Sequence, residues 1–169
     1  MPRSPAHRHQ AMAVKHRHGF SLIELMVVLA IMAALATIGM PLAELSHQRF
    51  KEEDLRRSLR EIRTALDAYK RLVDQGRIVD ATGGSGYPPN LATLEEGVID
   101  AKSPEETRLY LLRRLPRDPF APEDVTPAQT WGLRSYASRA DDPRPGRDVY
   151  DVYSKATGTG LNGIPYRRW

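Results

Sequence analysis

GFSLIELMVVLAIMAALATIGMPLAEL, Gly19 to Leu45, decides how the chain is read. After Phe20 it runs apolar to Ala43 with one formal charge, Glu24. A carboxylate inside a membrane segment costs roughly 2.5–3.5 kcal/mol on insertion scales, so it marks a function and needs a partner. Nineteen uncharged residues follow from Leu25 to Ala43. That is near the lower limit for crossing a hydrocarbon core about 30 Å thick, so the segment is expected to anchor the chain as a single-pass span.

Before this stretch lies a basic leader. Arg3, Arg8, Lys15 and Arg17 stand there with no acid among them, which leaves 21 basic against 21 acidic residues in the remainder. The net charge of +4 therefore belongs to the leader, and the body is neutral. A basic patch confined to the leader does not form a phosphate-binding stripe, so nucleic acid is excluded as a partner; it fits a cytoplasmic flank under the positive-inside rule. Four of the five histidines (His7, His9, His16, His18) are in the leader, and His47 alone supports neither a catalytic triad nor a zinc site. There is no cysteine, so an exported domain must hold itself together without disulfides.

A secretory signal is normally cut after its apolar region. Here the small residue that would precede a cut, Gly19, stands between the basic leader and the apolar run, so processing would leave the hydrophobic segment attached. In combining a basic leader, Gly19, Phe20, Glu24 and Pro41 in one register, the chain resembles the type IV pilins and the pseudopilins of type II secretion. The resemblance implies cleavage after Gly19 by a prepilin peptidase and N-methylation of Phe20. It also implies that Glu24 pairs with the positive amino terminus of a neighbouring subunit during assembly. The electrostatics agree, because a membrane carboxylate is penalised until another subunit supplies a counter-charge in low dielectric. Gly39 and Pro41 interrupt the run, and a kink or local melting is expected near residues 36–40.

From His47 to Gln75 the chain becomes charged while keeping helical periodicity. Leu55, Leu59, Ile62, Leu66, Tyr69 and Val73 fall on one face. Glu52 with Arg56, and Glu53 with Arg57, have the spacing of exposed helix pairs. Gly76 is the expected stop, so one helix should run from about Phe20 to Gln75. Beyond it, residues 81–90 read as a loop and 91–98 as a short helix ended by Gly97. Ser103, Pro104 and Glu106 look like a helix start, with the helix continuing to Leu115 before Pro116. Too many prolines and polar residues follow for regular structure up to Thr130, after which strands are expected over 130–133, 135–138 and 149–154. The fold expected is α+β: a long N-terminal helix packed against a small head with short helices and a two- to three-stranded antiparallel sheet. The expected division is a cleaved leader over 1–19, an anchoring and assembly half-helix over 20–46, its amphipathic continuation over 47–76, and a periplasmic head over 77–169.

In the head, YPPNLATLEEG, LRRLPRDPF, Trp131 and DVYDVYSKATGTGLNGIPYRRW, in that order, resemble the major (G-type) pseudopilins of type II secretion. Several expectations come with that resemblance. One is a calcium ion in the C-terminal loop, with Asp148 and Asp151 as ligands and Ser154 offering a carbonyl. Calcium takes six to eight oxygens and would order a loop without disulfides. The match departs from the family where Asn162-Gly163 replaces an Asp-Gly pair and Lys155 adds a positive charge, a loss that Asp141 and Asp142 would have to make good. Tyr166 to Trp169 reads as an aromatic clasp onto the head, and TGTGLNG, without the lysine and helix of a phosphate loop, reads as a turn. The function implied is a structural subunit with no active site, held in the inner membrane with its head in the periplasm. It would assemble with copies of itself, and with minor pseudopilins and the inner-membrane assembly platform, into a periplasmic pseudopilus. Two other readings stand beside it: a major or minor pilin of a surface pilus, and a membrane-anchored periplasmic enzyme or binding domain.

Overall fold

The computed structural model describes residues 19–169, and for 38–43 the backbone only. The chain divides into two compact units, one ending at Ala43 and the other spanning Glu44–Trp169.

Helix α1, Leu22–Asp74, is 53 residues long. It is helical without a break across Gly39 and Pro41, so of the expected kink or local melting the backbone shows no melting there. The side chains of residues 38–43, Pro41 included, lie outside the described residues. Among the described residues no helix is long and apolar enough to cross a membrane. The apolar run counted from Leu25 passes Thr37 into residues 38–43, so only part of it is described. Up to Thr37 every described residue of α1 is exposed, Leu22, Met26, Leu29 and Leu35 among them.

In the second unit, α1 is the spine. Leu55, Ile62 and Leu66 are fully buried, with Leu59 and Tyr69 nearly so and Val73 at the edge of the core, as the periodicity predicts. The helix stops where glycine permits it. Gly76 has φ +66°, its N–H donates to the Val73 carbonyl at 2.8 Å, and Arg77 N–H donates to Leu72 at 2.9 Å, which satisfies the last carbonyls. Helix α2, Ala92–Glu96, buries Leu94 against this face and ends at Gly97, which has φ +78°.

The segment after α2 departs from the expectation. Residues 103–115 are not helical: Ser103 Oγ pairs with Thr107 Oγ1 at 2.9 Å, and Glu106 N–H donates to the Ser103 carbonyl, closing a turn. The turn lets strand β1, Val98–Ile99, pair antiparallel with β2, Arg108–Leu109. Leu111 and Leu112 N–H then both donate to the Leu94 carbonyl, and Leu112 and Leu115 are buried. The serine cap and proline favour a helix locally, but a helix would forfeit the β1–β2 ladder and this tie to α2.

One further turn of helix, α3, Pro127–Thr130, stands where no regular structure was expected. Gln129 Oε1 accepts from Thr126 N–H and steadies its start. Strand β3, Trp131–Arg134, pairs antiparallel with β4, Asp151–Ser154, in the register Trp131↔Ser154 to Arg134↔Asp151. Gly132 lies under the Tyr153 ring, and a Cβ there would come within 2.2 Å of it. The strand expected over 135–138 does not form. Ser135 N–H donates to the Arg144 carbonyl, Tyr136 N–H to Asp148 Oδ1 and Ser138 N–H to the Ser135 carbonyl, so these donors serve a loop and a turn. The fold is α+β, with two separate two-stranded sheets among the described residues in place of one. A 3₁₀ turn, Tyr166–Arg168, closes the chain.

Candidate functional site

Two places carry chemistry, one in each unit. At the start of the chain, Ser21 precedes α1 and its carbonyl accepts from Leu25 N–H at 3.1 Å. Glu24 sits in the first turn, where the partial positive charge of a helix N-terminus favours a carboxylate. Phe20 is 81% exposed and Glu24 is exposed among exposed leucine, isoleucine and methionine side chains. An exposed apolar helix surface carrying one acid is suited to burial against another chain that brings a positive charge.

In the head the carboxylates are already committed. Asp151 Oδ1 accepts from Arg63 Nε at 2.8 Å and from Val152 N–H at 2.8 Å, while its Oδ2 faces Arg134 at 3.2 Å. Ser154 is fully buried, its backbone is paired with Trp131, and its hydroxyl donates to Asp118 Oδ2 at 2.6 Å. Asp148 accepts from Tyr136 N–H at 2.8 Å. Asp141 pairs with Arg139, and Asp142 with Arg144. As arranged, the expected calcium ligands do not converge, and three of the four carboxylates considered for the site hold arginines. Among the described residues no group of three or more acidic or histidine side chains is placed to hold a metal. The set therefore does not fit calcium.

The C-terminal clasp is built on a buried carboxylate. Glu52, expected on the solvent face, is turned inward and 5% exposed. Its Oε1 accepts from the Tyr166 hydroxyl at 3.0 Å, Leu161 N–H at 2.8 Å and Gln48 Nε2 at 3.1 Å. Burial, with Glu52 beside it, holds the Tyr166 phenol above its ordinary pKa, so it stays protonated and donating. The Tyr166 ring stacks on Phe120 at 4.3 Å and meets Trp169 edge-on at 5.1 Å. Arg63 adds a second tie, donating to the carbonyls of Val152 and Trp169.

Residues 14–40 match the prokaryotic N-terminal methylation motif, which spans Gly19, Phe20 and Glu24. The N-terminus of the chain thus carries a pilin-like motif. The chain is also similar to type II secretion system core protein G of Klebsiella michiganensis, at 29% identity over 138 residues, covering 78% of this chain and 89% of that protein. No solved structure matches. An aligned span of that share of the chain is far longer than the N-terminal motif and takes in part of the head.

Of the residues singled out by sequence, Gly19, Phe20 and Glu24 cluster at the start of α1, whereas Asp148, Asp151 and Ser154 are dispersed among separate hydrogen bonds. Sequence reasoning missed Glu52, Arg63 and Asp118. Asp118 lies in the RDPF segment, is 1% exposed, and receives hydrogen bonds from Ser154 Oγ and Phe120 N–H. A signal for Glu52 was present: it precedes Leu55 by three and Leu59 by seven, and so shares their face.

Proposed function

We propose that this chain is a structural pseudopilin subunit of a type II secretion system. The observation that carries the reading is the presence in one chain of the methylation motif and of similarity to core protein G over most of its length. In this reading a prepilin peptidase cuts after Gly19 and Phe20 becomes the N-methylated terminus. The apolar part of α1 holds the subunit in the inner membrane as a single-pass anchor, with the head in the periplasm. Assembly with further copies, minor pseudopilins and the inner-membrane platform then moves that helix into the core of a pseudopilus.

Glu24 supplies the specificity of that transfer. Its charge is costly in lipid and is relieved when the amino terminus of another subunit lies beside it. The head contributes shape and contacts, and no catalytic step is assigned to it.

Glu24→Ala tests the reading. The leader should still be removed, seen as loss of residues 1–19 by mass spectrometry, while filaments disappear or lose register; normal filaments from this variant would refute it. Neighbouring genes for a secretin and a secretion ATPase, in place of a retraction ATPase, would separate this function from that of a surface pilus.

A further inference from the structure

The head has a one-sided surplus of arginine. Arg56, Arg60 and Arg63 follow one another at helical spacing on α1 and, with Arg168, line a groove of about 420 Å³ floored by Leu59 and Trp169. Arg63 is held by Asp151. The Arg56 guanidinium lies over the Trp169 ring at 4.3 Å, which fixes its direction without neutralising it. Among the described residues Arg60 and Arg168 form no ion pair and no side-chain hydrogen bond. Among the described residues, the guanidinium groups of Arg56, Arg60 and Arg168 therefore face the groove with no carboxylate side chain paired to them.

From Gly19 onward acids and bases balance, so matching acids lie elsewhere on the surface. Glu105 and Glu106 are adjacent, exposed and free of ion pairs among the described residues, on the turn that joins β1 to β2. Glu106 has φ +51°, the one positive φ outside glycine among the described residues. Such a backbone conformation persists where the surrounding structure enforces it, so the two carboxylates are presented from a fixed turn. The turn lies beside the end of α1, where Ala101 N–H donates to the Arg77 carbonyl. Within its own chain no ion pair or side-chain hydrogen bond joins Glu105 or Glu106 to a residue of the groove among the described residues.

We propose that the arginine groove receives the Glu105–Glu106 turn of a second copy of this chain displaced along α1. The inference rests on the filament-subunit reading and adds to it a head contact with stated polarity. Guanidinium and carboxylate pair through two parallel hydrogen bonds, which fixes register as well as attraction. Groove and turn are different surfaces of one molecule, so the contact is head-to-tail: each copy leaves one of each unused, and the interaction repeats along a filament without closing.

The test uses the full-length, processed chain in its membrane, with sheared filaments as the readout. Arg60→Glu and Glu106→Arg each place like charges face to face and should lower filament yield roughly tenfold, whereas the two together restore the pair and the yield. Both positions are exposed, so each variant head should melt as the parent does. The chain has no cysteine, so Arg60→Cys with Glu106→Cys and a short bismaleimide should give a ladder of cross-linked oligomers, while either substitution alone gives none. Parental yield from both single reversals, a double variant no better than the singles, or no ladder within intact filaments overturns this contact and leaves the pseudopilin reading standing. A parent chain that forms no filaments overturns both.

Discussion

Glu52→Leu in the clasp is the sharpest test of how the head is held. The substitution removes the acceptor for the Tyr166 hydroxyl, Leu161 N–H and Gln48 Nε2. Their exposure decides the magnitude. Leu161 is exposed and Gln48 half-buried, so water can serve both, whereas Tyr166 is 3% exposed and its hydroxyl, which still accepts from Gln48 Nε2 at 3.1 Å, is left without an acceptor for its own proton. A buried donor left without a partner costs about 1–3 kcal/mol, and the two wetter bonds add about 1 kcal/mol, giving about 2–4 kcal/mol in all. For a head of this size that lowers Tm by about 8–16 °C. Tyr166→Phe should cost only about 1 kcal/mol, because the carboxylate keeps two donors. The double variant is the discriminating measurement. With both partners apolar nothing is stranded, so its loss should fall short of the sum of the singles by about 1–2 kcal/mol. Thermal unfolding of the soluble fragment beginning at Glu44, followed by near-ultraviolet circular dichroism, reads the cycle directly. Single effects that add to within about 0.5 kcal/mol would refute the claim that a hydroxyl–carboxylate bond holds the clasp.

Two other outcomes follow from the head. Asp80 accepts from Thr82 Oγ1 and from the backbone N–H of Thr82 and Gly84, which lowers its carboxyl from 3.8 to about 2 in the folded chain. A carboxyl more acidic when folded stabilises above its unfolded pKa and loses that contribution as pH falls toward its folded one. Asp80→Asn should therefore flatten the acid limb of the stability curve between about pH 4 and pH 2 without steepening it elsewhere, as acid titration of the fragment would show. Because Asp151, Asp141 and Asp142 hold arginines, Tm should be the same in millimolar calcium and in chelator. A rise of several degrees with calcium would mean that the arginines release their carboxylates to the ion.

Much of α1 was legible because its determinants are local. The Leu55 to Val73 stripe, the glycine at 76 and the single acid at 24 are read from spacing alone, and the structure places the stripe in the core and the stop at Gly76. Residues 103–115 were misread because a serine, a proline and a glutamate at cap spacing describe what a segment does by itself. The pairing of Val98 with Leu109 and the two bonds to the Leu94 carbonyl are supplied by residues ten or more positions away. The partners that the residues of the expected metal site have in this structure were invisible for a related reason: Asp151 is separated from Arg63 by 88 residues and Ser154 from Asp118 by 36. Nothing in the local pattern announces those partners.

By itself the sequence determined the pilin-like N-terminus, the neutral body behind a basic leader and the amphipathic helix, since charge placement and helical period are properties of neighbours along the chain. Tertiary structure alone decided that Glu52 meets Tyr166 and Leu161 in the C-terminal clasp, and that Arg56 and Arg60 of α1 face a groove with no carboxylate side chain paired to them while Arg63 takes Asp151. Those outcomes depend on which side chains distant segments bring together, and in a folded chain that is settled by packing and by the need to satisfy every buried polar group.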